Sequence, residues 1–324
     1  MKNMKKTLYF ALLLGSMLLT ACEDNFKKEP ESSGEQPEAD SLSVVHEIVF
    51  VGSEGGSIML SVESTVAWTA STEDSWLTLS KASGTGTEAL EVLVANNVKT
   101  VSDTAIVSIT NANGVIVRDV QIVRAPANSM LNGHEYVNLG LPSGTLWATC
   151  NVGANSPEEY GNFFAWAETE PKSIYLGGTL KYCTSFDDDS RTGTYSKYNS
   201  VDENIELDPE DDAATANWGN GWRTPNTDDL LEMWLNSTNI EWTSFNGVEG
   251  CKFTSKNGNS IFFPAAGYCG GDVHNRDGSR CVYWLSTLNG NENGAYCFDS
   301  ASDRGIDFHY FERYFGLSVR PVVK

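Results

Sequence analysis

The sequence predicts a mostly β protein with some α, built from two folded parts. Three observations predict it. Residues 42–125 carry short runs in which apolar side chains alternate with polar ones, separated by Gly and Asn turns. Beyond residue 133 the composition shifts, and seven of the nine tryptophans lie there. In that second part, "WRTPNTDDLLEMWLN" has Asn226 as an N-cap, Asp229 three residues on, and an apolar face from Leu230, Leu231 and Met233 to Leu235.

The chain opens with Lys2, Lys5 and Lys6, then an apolar stretch over Thr7–Leu19, then Leu19-Thr20-Ala21 before Cys22. A basic start, an apolar stretch and small residues are the order of a secretory signal peptide, here 1–21. The stretch is shorter than the ~20 residues a spanning helix needs. L-T-A-C also matches the bacterial lipobox, so Cys22 is expected to be lipid-modified, and two or more acyl chains make such an anchor stable. No later run has spanning length, so the lipid would be the sole membrane attachment. Glu23 and Asp24 resemble the acidic export signal of some Gram-negative lipoproteins, or they simply begin a solvated linker. The expected address is the outer membrane, exposed at the cell surface. Residues 22–41, charged and nearly free of apolar side chains, are expected to form a disordered tether.

Residues 42–125 read as a β-sandwich. Ile58, Leu60 and Val62 alternate with polar residues, as do Leu90, Val92 and Val94, Val107 and Ile109, Val115 and Val117, and Val120 and Ile122. Trp68 and Trp76 read as core fillers, because aromatic burial dominates small cores. This stretch resembles the BACON domain, through the early Gly55-Gly56, Trp68, Trp76 with its following strand, the turn Ser83-Gly84-x-Gly86, and Asn96. The family often has an arginine near Ser102 or Asp103, and this chain has none there. The resemblance implies an immunoglobulin-like module associated with carbohydrate, or a spacer.

Residues 126–133 read as a linker and 134–324 as the second part. Its strand-like pieces are Glu135–Leu139, Thr145–Asn151, Ser260–Phe263, Val282–Ser286, Ala295–Asp299 and Leu317–Val322, with a short helix over Asp211–Asn217. "YVNLGLPSGTLWATCNVGA", "FFAWAE", "LDPEDDAATANWGNGWRTPN", "FFPAAGY", "YWLST" and "GLSVRPV" resemble the FISUMP ("major paralogous") family. That family looks related to the C-type-lectin-like fold of the formylglycine-generating enzymes. The resemblance implies an α+β lectin-like domain. It does not carry that catalysis over, since the closely spaced cysteine pair is missing.

Composition excludes some functions. With 43 acids against 22 bases, the formal charge is −21. Nucleic acid needs clustered cations, so it is not an expected partner. The six later cysteines, Cys150, Cys183, Cys251, Cys269, Cys281 and Cys297, allow 15 pairings. Cys269 with Cys281, flanking "GGDVHNRDGSR", is the expected disulfide; Cys150 reads equally as a buried thiol. The four histidines are far apart, and no zinc, Walker, dinucleotide or G-x-S-x-G motif occurs. The Asp277-Gly278 loop fails the EF-hand pattern, having Val273 and Trp284 where acids are required. Asp187-Asp188-Asp189, or Asp208, Glu210, Asp211 and Asp212, could instead hold a possible Ca2+. Arg223 and Arg320 are expected to brace turns.

Ligand contacts are expected in loops that combine aromatic faces with polar groups. The candidates are Asp187, Asp188, Asp189, Arg191, His274, Asn275, Arg276, Asp277, Tyr310 and Tyr314. The reading that follows is a non-catalytic surface protein that binds host or dietary glycan. An adhesin-type subunit with a protein partner and the sandwich as spacer is the first alternative. An enzyme of unstated type is the second.

Overall fold

Alternation decides the first part of the chain. The computed structural model describes residues 40–303 and 305–324. The leader, Cys22 and nearly all of the tether lie outside the described residues. The first nine strands are β1 (Leu42–Val44), β2 (Ile48–Val51), β3 (Gly56–Ser64), β4 (Ala67–Ser71), β5 (Leu77–Leu79), β6 (Ser83–Thr85), β7 (Glu88–Val94), β8 (Asp103–Asn111) and β9 (Val117–Arg124). They form two facing sheets, ordered β1-β3-β7-β5 and β2-β9-β8-β4-β6. Every second residue of β3, β7 and β8 is buried, so Leu60, Val62, Leu90, Val92, Val107 and Ile109 share one core with Val120 and Ile122.

Val115 and Val117 differ from expectation. Both point to solvent, because Asn111 Oδ1 accepts the N–H groups of Val115 and Ile116 and turns the chain there. Ile116 packs against the core instead.

Trp68 is a core residue, 1% exposed. Its Nε1 donates to Gly86 O (3.1 Å), and its ring lies directly under Gly84, where a Cβ would come within 2.3 Å of it. The Ser-Gly-x-Gly turn is therefore a lid for this indole. Trp76 is covered by the Arg124 guanidinium, 4.2 Å from the ring centroid. Arg124 also pairs with Asp103 at 2.8 Å.

The remaining strands are β10 (Ser129–Leu131), β11 (His134–Val137), β12 (Leu146–Ala148), β13 (Cys183–Asp187), β14 (Thr192–Tyr195), β15 (Trp222–Arg223), β16 (Ser237–Phe245), β17 (Val248–Ser255), β18 (Ser260–Pro264), β19 (Tyr268–Gly270), β20 (Val273–Asn275), β21 (Arg280–Leu288), β22 (Gly294–Ala301), β23 (Gly305–Glu312) and β24 (Val322–Val323). A five-stranded sheet, β10-β11-β12-β24-β15, joins the start of this part to the chain end. Two antiparallel three-stranded sheets, β16-β17-β18 and β21-β22-β23, and two hairpins complete it. Helix α1 (Ala213–Trp218) starts one residue after Asp212, whose carboxylate accepts Ala214 N and Thr215 N. Helix α2 (Thr227–Leu235) carries the full capping box of Asn226 and Asp229. Its buried face is narrower than the periodicity suggests: Leu230 and Met233 are inside, while Leu231 and Leu235 are exposed.

Arg223 holds the α2 cap through a bidentate pair with Asp229 at 2.5 and 2.9 Å. Arg320 is fully buried; it donates to Asn151 Oδ1 and Ala148 O and lies over Phe263. The expected Cys269–Cys281 disulfide is not present, and both are thiols. They face different cores. Cys281 points inward to Phe263 O among Phe253, Phe263 and Phe298, whereas Cys269 packs with Tyr175 and Leu180. Among the described residues no helix is long and apolar enough to cross a membrane.

Gly84→Ala should force the Trp68 ring aside and lower stability by about 1–3 kcal/mol. A urea midpoint equal to that of the parent protein would show that Gly84 is not a seat for the indole.

Candidate functional site

The three-stranded sheet β16-β17-β18 has two unlike faces. Cys251, Phe253, Ile261 and Phe263 point into the core. By cross-strand register the other face carries Glu241, Thr243 and Phe245, then Gly250 and Lys252, then Ser260 and Phe262. Two aromatic side chains thus share a polar face, Phe262 largely covered at 8% exposure. Phe262 lies across the sheet over Gly250, where a Cβ would come within 2.5 Å of its ring. Phe245, 42% exposed, tilts against it with centroids 5.6 Å apart.

These rings floor a cleft of about 510 Å3. That size falls within the ~300–1,000 Å3 typical of small-ligand sites. Its walls come from three places: Glu54 in the β2–β3 turn of the sandwich, Asn128 in the connector, and Glu135, Thr149, Lys252 and Ser260 of the second part. Thr149 Oγ1 donates to Glu135 Oε2 at 3.0 Å. Carboxylates, an ammonium group, hydroxyls and an amide therefore surround an apolar floor. Such a surface can stack the apolar face of a ring and hydrogen-bond its edge.

The cleft is framed by a fixed joint. Asn259, 3% exposed, accepts Ser53 N at 2.9 Å through Oδ1 and donates through Nδ2 to Pro126 O and Asn138 O, at 3.2 and 2.9 Å. Ser53 O in turn accepts Asn97 N at 2.7 Å. The turn that carries Glu54 is thereby tied to the β17–β18 hairpin.

The residues expected to bind ligand lie in three other places. Asp187, Asp188, Asp189 and Arg191 form the exposed β13–β14 turn, where Asp187 accepts Asp189 N and Ser190 Oγ. Tyr314 stacks on Phe315 and meets Phe186 of the same hairpin at 5.5 Å, so it is packing, with one edge left open. His274 and Asn275 sit on β20, and His274 Nε2 is 2.5 Å from Ala266 O. Arg276 has a left-handed backbone, φ 62°, and lines a polar hollow of about 310 Å3 with Ser279, Ser302 and Asp303. Asp277 lies in the same turn. Tyr310 is 48% exposed on β23, cross-strand from Tyr296. Of these ten residues, Arg276 alone lines the polar hollow among the described residues.

Sequence reasoning missed the cleft. One signal was available: Phe245 and Phe262 fall on the polar parity of strands whose other parity is apolar, with Asn246-Gly247 marking the turn between β16 and β17.

The acidic candidates for Ca2+ also resolve differently. Asp208, Glu210 and Asp211 do converge, but on Lys197, whose Nζ is 2.6, 3.2 and 2.6 Å from them. Among the described residues, Asp187, Asp188 and Asp189 form no such convergence. Asp211 is completely buried and also accepts Lys181 Nζ, Tyr182 OH and Tyr198 OH. Burial alone would raise its carboxyl pKa. The donors from Lys181, Lys197, Tyr182 and Tyr198 outweigh burial and hold it down at about 2.

Residues 41–123 match the family model described as a viral BACON domain. Among solved structures, the chain is similar to a Bacteroides ovatus GH5 xyloglucanase in complex with a XXXG heptasaccharide, at 16% identity over 46% of this chain and 39% of that chain, with a TM-score of 0.26. This chain thus matches about two fifths of that structure's length. It is also similar to a Bacteroides thetaiotaomicron protein solved by NMR, at 17% identity over 30% of this chain and 97% of that chain, with a TM-score of 0.23. No curated protein matches the chain.

Because the folded pKa of Asp211 lies below the ordinary 3.8, its contribution is present above about pH 4 and is lost as pH falls towards 2. The parent protein should lose about 2 kcal/mol across that window beyond what an Asp211→Asn variant loses. Urea titrations at pH 5, 4, 3 and 2 measure it, and parallel pH profiles for the two proteins would contradict the assignment.

Proposed function

We propose that this protein is a lipid-anchored binding protein of the bacterial cell surface that recognises carbohydrate without acting on it chemically. The observation that carries the reading is the cleft, where the Phe245–Phe262 floor is ringed by hydrogen-bonding groups of both signs. Sugars present an apolar ring face with hydroxyls at the edge, which suits that mixture. The BACON-type region supports the reading by class, and the excess of acids suits a soluble ectodomain. The anchor rests on the basic, apolar and L-T-A-C order before Cys22.

A protein partner is the second reading, and one observation favours it. Strand β2 is the edge of its sheet, and Ile48 and Phe50 on it are half exposed. Such an edge can template another strand.

A glycan screen of the full-length protein should find a specific ligand, and Phe245→Ala should weaken it at least about tenfold, or 1.4 kcal/mol. Phe245 is exposed enough for the fold to tolerate its loss, so unchanged affinity in that variant moves the site away from the cleft. Cys22→Ala should shift the protein from the membrane fraction to the soluble fraction. A variant that stays membrane-bound until detergent is added would rule out the lipid anchor.

A further inference from the structure

The cleft has a sign. Its charged walls are Glu54, Glu135 and Lys252. Lys252 has an acid of its own, with Nζ 3.9 Å from Glu241 Oε1 across the β16–β17 ladder. Glu54 and Glu135 form no ion pair among the described residues, counting contacts up to 4.0 Å. The hydroxyl of Thr149 on Glu135 Oε2 supplies a hydrogen bond but no charge. One of the two unpaired carboxylates comes from the sandwich and the other from β11, and the Asn259 joint holds the walls in place.

We propose that Glu54 and Glu135 are the selectivity residues of this cleft, and that its ligand is a saccharide bearing a free, protonated amino group. This rests on the reading of the cleft as a saccharide site. The two carboxylates repel uronate-, sialate- and sulfate-bearing chains, and a neutral sugar leaves both without a counter-charge. An amino sugar seated on the Phe245–Phe262 floor places a cation and its N–H donors against them. The sandwich is then one wall of the site, because it supplies Glu54.

The test is calorimetric titration of the full-length protein at pH 6 and low salt. The probes are β-1,4-linked trisaccharides of glucosamine, of N-acetylglucosamine and of glucose, with a uronate trisaccharide as the fourth. The amine-bearing trimer should bind about tenfold more tightly than the N-acetylated one, and added salt should erode that preference. In Glu54→Gln/Glu135→Gln, two exposed positions that leave the fold intact, the preference should fall below about threefold. Phe245→Ala should weaken all probes alike. Equal binding of the amino and acetylated trimers, tighter binding of the uronate, or a preference that survives the double substitution overturns the assignment while leaving a saccharide site standing. Silence from every probe overturns both.

Discussion

The side-chain amide of Asn259 is the constraint on which the geometry of the cleft depends. An amide has one acceptor oxygen and two donor hydrogens. Here the oxygen takes Ser53 of the sandwich and the nitrogen serves Pro126 of the connector and Asn138 of the second part. The residue is buried, so any one of these groups left unmet would cost about 1–3 kcal/mol. Interfaces between domains of one chain are ordinarily free to move. This one is tied at its centre, and the β2–β3 turn becomes a wall of the cleft beside the β16-β17-β18 sheet. A wall and a floor from different parts of the chain make a preformed cleft only when the joint between them is stiff.

Aromatic rings and glycines work together in both folded parts. In the sandwich, Gly84 lets the turn close over Trp68, and the indole disappears into the core. In the β16-β17-β18 sheet, Gly250 leaves room for the Phe262 ring on the face away from the core, where Phe245 packs on it. The missing Cβ makes room for a ring in both places, and Phe262, 8% exposed, is itself largely covered, with Phe245 at 42% the more open of the pair. The two places differ in strand parity: Trp68 sits on the inward parity of β4, Phe262 on the outward parity of β18.

Much of the fold was legible because it depends on local patterns. The alternation in β3, β7 and β8 and the Asn226–Asp229 capping box are properties of a few consecutive residues. The cleft depends on which hairpin docks on which turn, and no window of sequence contains both Glu54 and Phe262. The Cys269–Cys281 disulfide failed for a related reason. The two cysteines are twelve positions apart, but β19 and β21 serve different cores, so nearness along the chain did not become nearness in space. The loop residues from Asp187 to Tyr314 have the right chemistry for a ligand. Tyr314 does reach the β13–β14 hairpin through Phe186, while His274 and Asn275 on β20 and Tyr310 on β23 belong to other strand pairs.

The charge of the cleft follows from how an acid-rich chain places its few cations. Asp211 takes Lys181 and Lys197, Asp299 takes Arg280, Asp229 takes Arg223, and Asp103 takes Arg124. Asp211 and Asp299 are completely buried, and Asp229 nearly so. A buried carboxylate left without a partner is far more destabilising than an exposed one, so buried acids have first claim on the lysines and arginines. With 43 acids and 22 bases, many acids go without a cation: buried Asp212 is met instead by Thr224 and by the N–H groups of Ala214 and Thr215, and the exposed remainder is left to water. Glu54 and Glu135 belong to that remainder. Both are exposed and form no ion pair among the described residues, so a ligand that brings its own positive charge would meet a counter-charge that the fold leaves open there.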